Sequence, residues 1–279
     1  MPSYFRLFII VNVIFLSSCS TRLVYNYADW WLSWKVGDYV ELTAQQSQQF
    51  DSMVERFKTW HRQSELPFYV SLLSQLNYIV EHKDVGLLEQ YTLDVNNIWS
   101  RSAQKAVPEI ILFLNKLSVS QKVTLIENIR IKQEEQHQEW LEGSKNGAQD
   151  KIDEGVERLE EWLGELSSQQ RTSYIDMLEQ QKSTLTFRIE SRKHWLELFQ
   201  KYLIAETEVD HINLYALLTD FKFSRSQQHQ LLNEQNKQLR LTWLLEQLPM
   251  LSLNQQNHIK KSIIKYTEEL QYLIDERQS

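Results

Sequence analysis

Apolar residues recur every three or four positions along most of the chain, which is the period of an amphipathic α-helix. One such run begins at Tyr174 and continues to Tyr202, where it predicts a single long helix, and a shorter run covers residues 43–62. Only 6 glycines and 4 prolines interrupt 279 residues, which disfavours a fold of many short strands. The pattern predicts an all-α protein, a bundle of long amphipathic helices.

Five short segments predict where helices begin. Each has Ser or Thr followed three residues later by Gln: Thr43 and Gln46, Ser118 and Gln121, Ser167 and Gln170, Ser224 and Gln227, Ser252 and Gln255. In this capping box the hydroxyl accepts a hydrogen bond from the third helical N–H, and the Gln side chain returns to the N–H of the cap residue. We therefore expect a helix to start at each box.

Prolines and glycines indicate further breaks. Pro67 and Pro108 lie in apolar periodic stretches and should start or kink a helix. Four of the six glycines fall between residues 143 and 164. We expect residues 19–279 to form one helical domain, with any division into two lobes falling within residues 143–165.

The first 18 residues resemble a lipoprotein signal peptide. The apolar run from Leu7 to Leu16 would cover roughly half of a ~30 Å hydrocarbon core as a helix, so it is too short to span a bilayer. The next residues, Ser17-Ser18-Cys19, complete a match to the bacterial lipobox, and Cys19 is the only cysteine. An ordinary secretory signal is the alternative.

The lipobox resemblance implies a membrane anchor. It implies cleavage before Cys19, acylation of that cysteine and, because Ser20 is not Asp, export to the outer membrane with the protein facing the periplasm. Three acyl chains exceed what stable anchoring requires.

Negative charge is concentrated in one segment. The net charge is −7, and residues 134–165 contain 11 acidic and 3 basic residues. Such a run is typical of a solvated helix face, and the alternative is a docking surface for a basic partner or for divalent cations. Without a basic stripe, we do not expect nucleic-acid binding.

Catalytic and metal-binding motifs are weak. Glu134 with His137 and Glu208 with His211 have the i, i+3 spacing of di-metal bundles, but residues 130–139 are polar on nearly every side and would place such ligands in water. No nucleophile or phosphate-loop motif accompanies them. We expect a protein without cofactor or metal that is not an enzyme.

Two pairs of basic residues are candidates for binding. Arg188 and Arg192 fall on an apolar seam one turn apart, where each guanidinium needs a partner. That partner is an internal carboxylate such as Asp38 or Glu65, or else a carboxylate, phosphate or lipid head group bound in a groove. His61 and Arg62 either fix a helix junction or contact the same ligand.

An aromatic segment follows the expected anchor. It contains Tyr25, Tyr27, Trp30, Trp31, Trp34 and Tyr39. Helical spacing favours packing of this segment in the core, and contact with the membrane interface is the alternative; the spaced residues are Leu23, Tyr27, Trp30 or Trp31, and Trp34.

Several of these residues also carry a resemblance to known proteins. Arg22 to Trp31, Asp38-Tyr39, Trp60-His61-Arg62, Glu65-Leu66-Pro67, Trp162-Leu163-Gly164 and the Arg188, Arg192, Trp195 pattern resemble a family of Gram-negative lipoproteins defined only by a domain of unknown function. The Leu-Ser/Thr-x-x-Gln boxes also resemble those of small periplasmic stress chaperones. The first resemblance implies a lipid-anchored helical envelope protein and supplies no activity.

The sequence therefore predicts a non-enzymatic outer-membrane lipoprotein that binds an envelope protein or lipid. One alternative is an envelope enzyme acting on peptidoglycan or lipid, with the four basic residues around a cleft. A second alternative is a chaperone-like holding protein with an exposed concave apolar surface.

Overall fold

The structure, a computed structural model, describes residue 22 and residues 24–143, 147–204 and 209–276. These ranges contain eleven α-helices and no strand, which confirms the predicted all-α class. The helices are α1 (Ala28–Val36), α2 (Ala44–Trp60), α3 (Leu66–His82), α4 (Val85–Asn115), α5 (Val119–Gly143), α6 (Ala148–Leu163), α7 (Ser168–Gln180), α8 (Leu185–Leu203), α9 (His211–Thr219), α10 (Gln227–Gln247) and α11 (Leu253–Asp275). A π-helical turn, His61–Glu65, joins α2 to α3, and a 3₁₀ turn, Leu248–Met250, precedes α11.

The described residues divide into two compact units, each assembled from three separate stretches of chain. Unit 1 comprises residues up to 63, 98–141 and 185–227, and unit 2 comprises 64–97, 142–184 and 228–279. Each unit has its own hydrophobic core.

In unit 1, α1 packs against α2, and α8 packs against α9. Its core combines apolar residues of α4, α5, α8 and α9, among which Leu203, Leu214 and Leu217 are almost fully buried. These residues occur at helical spacing on each element, so burial of one apolar face per helix accounts for the arrangement.

In unit 2, α11 packs along α3 and against α6, and α6 packs against α7. Ile79 of α3 is fully buried together with Leu248, Ile259 and Ile263. Lys83 ends α3 in a left-handed conformation (φ 53°), and its ammonium donates hydrogen bonds to the carbonyl oxygens of Pro249 and Leu251 at 2.8 and 2.9 Å. This contact fixes the connection before α11.

Four of the five predicted capping boxes are present. Thr43, Ser167 and Ser252 each cap the helix that follows, and the reciprocal bonds between Ser118 and Gln121 measure 2.9 and 3.2 Å. The fifth prediction is wrong, because α10 begins at Gln227 itself, three residues after Ser224. Residues 221–224 form turns instead, so Gln227 is the first helical residue and not the third.

The boxes also pair with one another inside each unit. In unit 1 the amides of Gln46 and Gln121 donate to each other's oxygens at 3.0 and 2.7 Å. In unit 2 Gln170 and Gln255 do the same at 3.2 and 2.8 Å, with both side chains buried. Each pair joins two helix N-termini through one reciprocal amide contact, an arrangement that a single capping box does not predict.

The long helix predicted from Tyr174 to Tyr202 is wrong, because the chain leaves helical geometry after Gln180. Gln181 is extended (ψ 131°), and α8 starts only at Leu185. The side chain of Asn236 accepts a hydrogen bond from the Lys182 N–H at 3.0 Å and donates one to the Lys182 carbonyl at 2.8 Å. These two bonds satisfy the backbone where the helix is interrupted.

The prolines and glycines have different positions in the fold. Pro67 lies in the first turn of α3, as predicted, whereas Pro108 lies inside α4 and does not begin a helix. Gly164 follows α6 at φ +76°, and a Cβ there would lie 3.2 Å from the His258 ring. Only glycine suits that position.

The aromatic segment before α2 is not packed in the core as expected. Tyr27, Trp30 and Trp34 are mostly exposed, while Tyr25 and Trp31 are half-buried. The prediction of core packing is therefore wrong for Tyr27, Trp30 and Trp34. Leu23 lies outside the described residues.

Candidate functional site

Helices α5 and α8 of unit 1 bring together one indole, one imidazole and two guanidinium groups. His137 and Trp140 lie one turn apart on the buried face of α5, and both are at most 5% exposed. Arg188 and Arg192 lie one turn apart on α8 and are half-buried. We call these four residues the cationic cluster.

The ring of Trp140 is the centre of the cluster. The Arg188 and Arg192 Cζ atoms lie 5.0 and 5.2 Å from its centroid, and the His137 ring lies 5.7 Å away. Cation–π contacts at such distances each contribute about 0.5–2 kcal/mol, with the larger values in desolvated sites. The indole therefore offsets part of the cost of burying two positive charges side by side.

Several polar atoms of the cluster lack a hydrogen-bond partner among the residues that the structure describes. They are both ring nitrogens of His137, the indole Nε1 of Trp140 and the Nε of Arg188, all buried. A buried donor without an acceptor costs about 1–3 kcal/mol. The indole N–H of Trp140, the Nε–H of Arg188 and the one ring N–H of a neutral His137 are thus donors for which the described protein atoms supply no acceptor.

The two neighbouring guanidinium groups make the cluster locally positive, and burial opposes that charge. Burial, followed by the neighbouring charge of Arg192, lowers the pKa of Arg188 from its ordinary value. Burial also lowers the pKa of His137, and the charge of Arg192 adds to that effect. The carboxylate of the exposed Glu134 lies 3.6 Å from His137 Nδ1 and raises the pKa of His137, which opposes the lowering by burial only in part.

The geometry suits an anion with several acceptor atoms. Arginine offers N–H donors in a planar fork that matches carboxylate and phosphate groups, and a nearby indole adds an apolar surface. The expected internal ion pair with Asp38 or Glu65 is not formed by Arg188 within the described part of the chain. Arg188 is instead partnered by an aromatic ring.

A small surface pocket lies on another side of α8. It has a volume of about 270 Å³ and is lined by Glu190, Ser191, His194 and residues 223–226. This volume is just below the range of about 300–1,000 Å³ that is usual for ligand sites. His194 Nδ1 lies 3.4 Å from the carboxylate of Glu197, which makes its environment less cationic than that of the cluster.

His61 and Arg62 have described contacts in a different place. The Tyr25 hydroxyl lies 3.2 Å from His61 Nδ1, and the Arg62 guanidinium lies 5.4 Å from the Tyr25 ring centroid. Arg62 also donates to the Asn26 side chain at 3.3 Å. These contacts attach the segment before α1 to the end of α2, whereas Arg188 and Arg192 contact Trp140.

Sequence reasoning missed His137 and Trp140 as members of the site. It expected residues 130–139 to be polar on every side, but α5 buries Gln133, Gln136 and His137 together with Trp140. Their spacing of i, i+3, i+4 and i+7 places them on one helix face. This spacing indicates a buried helix face. It was not recognised from the sequence because two of the four residues are polar glutamines.

The residues considered as possible di-metal ligands are Glu134 with His137 and Glu208 with His211. Within the described ranges no three His, Cys, Asp or Glu residues come together as a metal site. Glu208 lies outside those ranges, and the His211 Nε2 lies 2.9 Å from the Asn115 amide.

The acidic segment is largely a solvent-facing surface. In α6 the acidic residues Asp153, Glu154 and Glu157 are exposed, while Val156 between them is buried. Glu154 and Glu160 form ion pairs with Arg158 and Arg171 at 3.4 and 2.5 Å.

The fold and this site define an all-α protein with a half-buried cationic cluster. The family model described as a family of unknown function, DUF6279, matches residues 38–229 of the 279, and the chain belongs to that family. The match includes the cationic cluster but not α1. Searches of curated proteins and of solved structures found no match.

Two observations concern the membrane. Among the described residues, no helix is both long enough and apolar enough to cross a bilayer. Cys19 and the segment predicted to be a signal peptide lie outside the described residues.

Proposed function

We propose that this protein is a lipid-anchored lipoprotein of the outer membrane that faces the periplasm and binds an anionic envelope component without catalysing a reaction. The lipobox at Leu16 to Cys19 supports the anchor, and Ser20 supports the outer-membrane location. The bound component is an envelope lipid or protein that presents a phosphate or carboxylate.

One observation carries the binding proposal. Arg188, His137 and Trp140 bring buried nitrogen atoms to one place where described protein atoms supply no acceptor. An anionic ligand would accept hydrogen bonds from these donors and compensate the charges of the two guanidinium groups. Binding would therefore remove the energetic cost of the buried donors that lack an acceptor, and this gain would add to the affinity for the ligand.

The chemistry of the cluster favours binding over catalysis. Its strongest interacting groups are guanidinium groups and an indole, which bind and orient but do not transfer protons near neutral pH. The imidazole of His137 is the one member that titrates in that range, and its lowered pKa favours the neutral form.

The test compares ligand retention by two variants in which one Arg is replaced by Gln. Mature protein is purified from envelopes after mild crosslinking, and bound lipid and protein are identified by mass spectrometry. In Arg188→Gln, loss of a charge-assisted hydrogen bond of about 1.5–3 kcal/mol should weaken retention roughly 10- to 150-fold. Arg130→Gln changes an exposed Arg of the same unit, paired with Glu127, and is the control.

The outcomes separate the two sources of anion. A phospholipid recovered with the wild type and the control, but not with Arg188→Gln, identifies a lipid ligand. A crosslinked polypeptide with the same dependence identifies a protein partner. Equal recovery from all three proteins, or no bound component at all, contradicts the proposal.

A further inference from the structure

Helix α1 and Tyr27, the cap residue immediately before it, present an aromatic face to solvent. Tyr27, Trp30 and Trp34 are 62%, 66% and 58% exposed, and Trp30 and Trp34 are the two most exposed of the nine tryptophans. Their i, i+3, i+7 spacing places them on one side of the helix. We call these three residues the aromatic face.

A second, polar side of α1 is attached to α2. Asp29 forms an ion pair with Lys58 at 3.0 Å, and the Ser33 hydroxyl donates to the Asp51 carboxylate at 2.6 Å. Lys58 also donates to the carbonyl of Asn26 at 2.9 Å. The aromatic face therefore points outward because the polar side of α1 is held against its neighbour.

Charge on α1 is compensated locally. Asp29 is paired with Lys58, and Lys35 forms an ion pair with Asp38. The Lys35 ammonium also lies 5.6 Å from the ring centroid of Trp34. The helix thus presents exposed rings with little net charge, and indole and phenol rings of this kind favour the boundary between hydrocarbon and water.

The length of the preceding chain restricts where this face can lie. Seven residues lie between Cys19 and Tyr27, and a fully extended chain covers at most about 3.3–3.6 Å per residue. Tyr27, the first residue of the aromatic face, is therefore within about 30 Å of the proposed acylation site, and Trp34 follows about 10 Å further along the helix. An anchor there would hold it beside the bilayer surface.

We propose that the aromatic face lies in the interface of the phospholipid bilayer to which the protein is anchored. This inference rests on the proposed lipid anchor. Acyl chains alone would leave the protein free to rotate about its tether, whereas a second contact through three rings fixes its orientation at the membrane.

The first experiment locates the two tryptophans relative to lipid. The full mature acylated protein is reconstituted in vesicles of phosphatidylethanolamine and phosphatidylglycerol with brominated acyl chains, which quench indole fluorescence on contact. The wild type should be quenched, and replacement of both residues by Phe (Trp30→Phe with Trp34→Phe) should remove most of the quenching.

A matched double variant is the control. Trp99 and Trp162 are each 41% exposed and lie on other helices. Trp99→Phe with Trp162→Phe should leave the bromolipid quenching unchanged. Equal quenching in both double variants, or none in the wild type, overturns the proposal.

The second experiment separates the aromatic face from the anchor. The full mature chain carrying Cys19→Ser is titrated with the same vesicles, and Trp30→Ala with Trp34→Ala should weaken its binding about tenfold, equivalent to about 1.4 kcal/mol. Unchanged binding overturns the aromatic face proposal. Absence of acylation in the unsubstituted protein would instead overturn the anchor.

Self-association is a further outcome of the same measurements. If Trp30 and Trp34 are shielded from acrylamide without vesicles, and the shielding depends on protein concentration, the face contacts a second copy of the chain. That result would overturn the membrane proposal.

Discussion

Removal of the Gln170 side chain tests whether the paired capping boxes stabilise unit 2. Gln170 accepts from the Ser167 N–H at 3.0 Å and exchanges two amide hydrogen bonds with Gln255. Gln170→Ala leaves one amide proton of the buried Gln255 without its acceptor and removes the cap bond to the N–H of the exposed Ser167. At about 1–3 kcal/mol for the buried donor and about 0.5–1 kcal/mol for the exposed cap bond, we expect a loss of about 2–4 kcal/mol.

The equivalent substitution in unit 1 provides the comparison. Gln46 makes the same kinds of bond, to the Thr43 N–H at 2.9 Å and to Gln121, but it is only half-buried. Water can replace the lost partners there, so Gln46→Ala should cost about 0.5–1.5 kcal/mol. The difference between the two substitutions therefore isolates the effect of burial.

The assay is urea unfolding followed by circular dichroism, with hydrogen exchange used to assign each transition to a unit. Gln169→Ala, on an exposed neighbour in α7, is the control and should change stability by less than about 0.5 kcal/mol. A double-mutant cycle of Gln170 and Gln255 should give a coupling energy of about 1–2 kcal/mol. A smaller loss for Gln170→Ala than for Gln46→Ala would refute the reasoning.

Three further predictions concern the cluster and the fold. Arg188→Met should raise the free energy of unfolding by about 1 kcal/mol, because it removes a half-buried charge without an ion pair, and a clear loss in thermal unfolding would indicate a hidden internal partner. Burial lowers the folded-state pKa of His137, so below pH 6.5 the unfolded chain binds more protons and stability falls with acidification. His137→Gln should reduce the fall in the free energy of unfolding between pH 7 and pH 5, as measured by urea unfolding. If the pH dependence is unchanged in this variant, other titrating groups cause it. Gly164→Ala should cost about 1–3 kcal/mol through its positive φ and contact with His258, whereas Gly143→Ala, with open space around it, should be nearly neutral in the same assay.

Local signals predicted most of the helix starts correctly. Thr43, Ser118, Ser167 and Ser252 begin helices because each capping box satisfies two backbone donors within four residues. At Ser224 the same sequence motif does not begin a helix. Residues 220–225 form a hydrogen-bonded turn there, and the helix begins only after it. A capping box thus predicts a start only where nothing nearby competes for the same backbone groups.

Long-range contacts decided what the local pattern could not. The helical spacing of apolar residues continues across residues 181–184, from Leu178 to Leu185. The chain is nevertheless not helical there, because the Asn236 side chain, 54 residues away, forms hydrogen bonds with the backbone of Lys182. The pairing of Gln170 with Gln255, 85 residues apart, is likewise invisible in a single sequence.

The candidate site was predicted in part. Arg188 and Arg192 were singled out because charged residues on an apolar seam require a partner, and the structure places both beside Trp140. The partner ring was missed because it belongs to a helix about 50 residues earlier. The aromatic face was predicted only in part. Helical spacing correctly places Tyr27, Trp30 and Trp34 on one side of a helix, but it does not show whether that side is buried or exposed.

The most direct test of the account is the recovery of an anionic ligand from the envelope with the acylated mature protein. The account predicts a phosphate- or carboxylate-bearing component bound to the wild type and to Arg130→Gln, with roughly 10- to 150-fold weaker retention by Arg188→Gln. Equal retention by Arg188→Gln, in a protein shown to be folded and acylated, would contradict it.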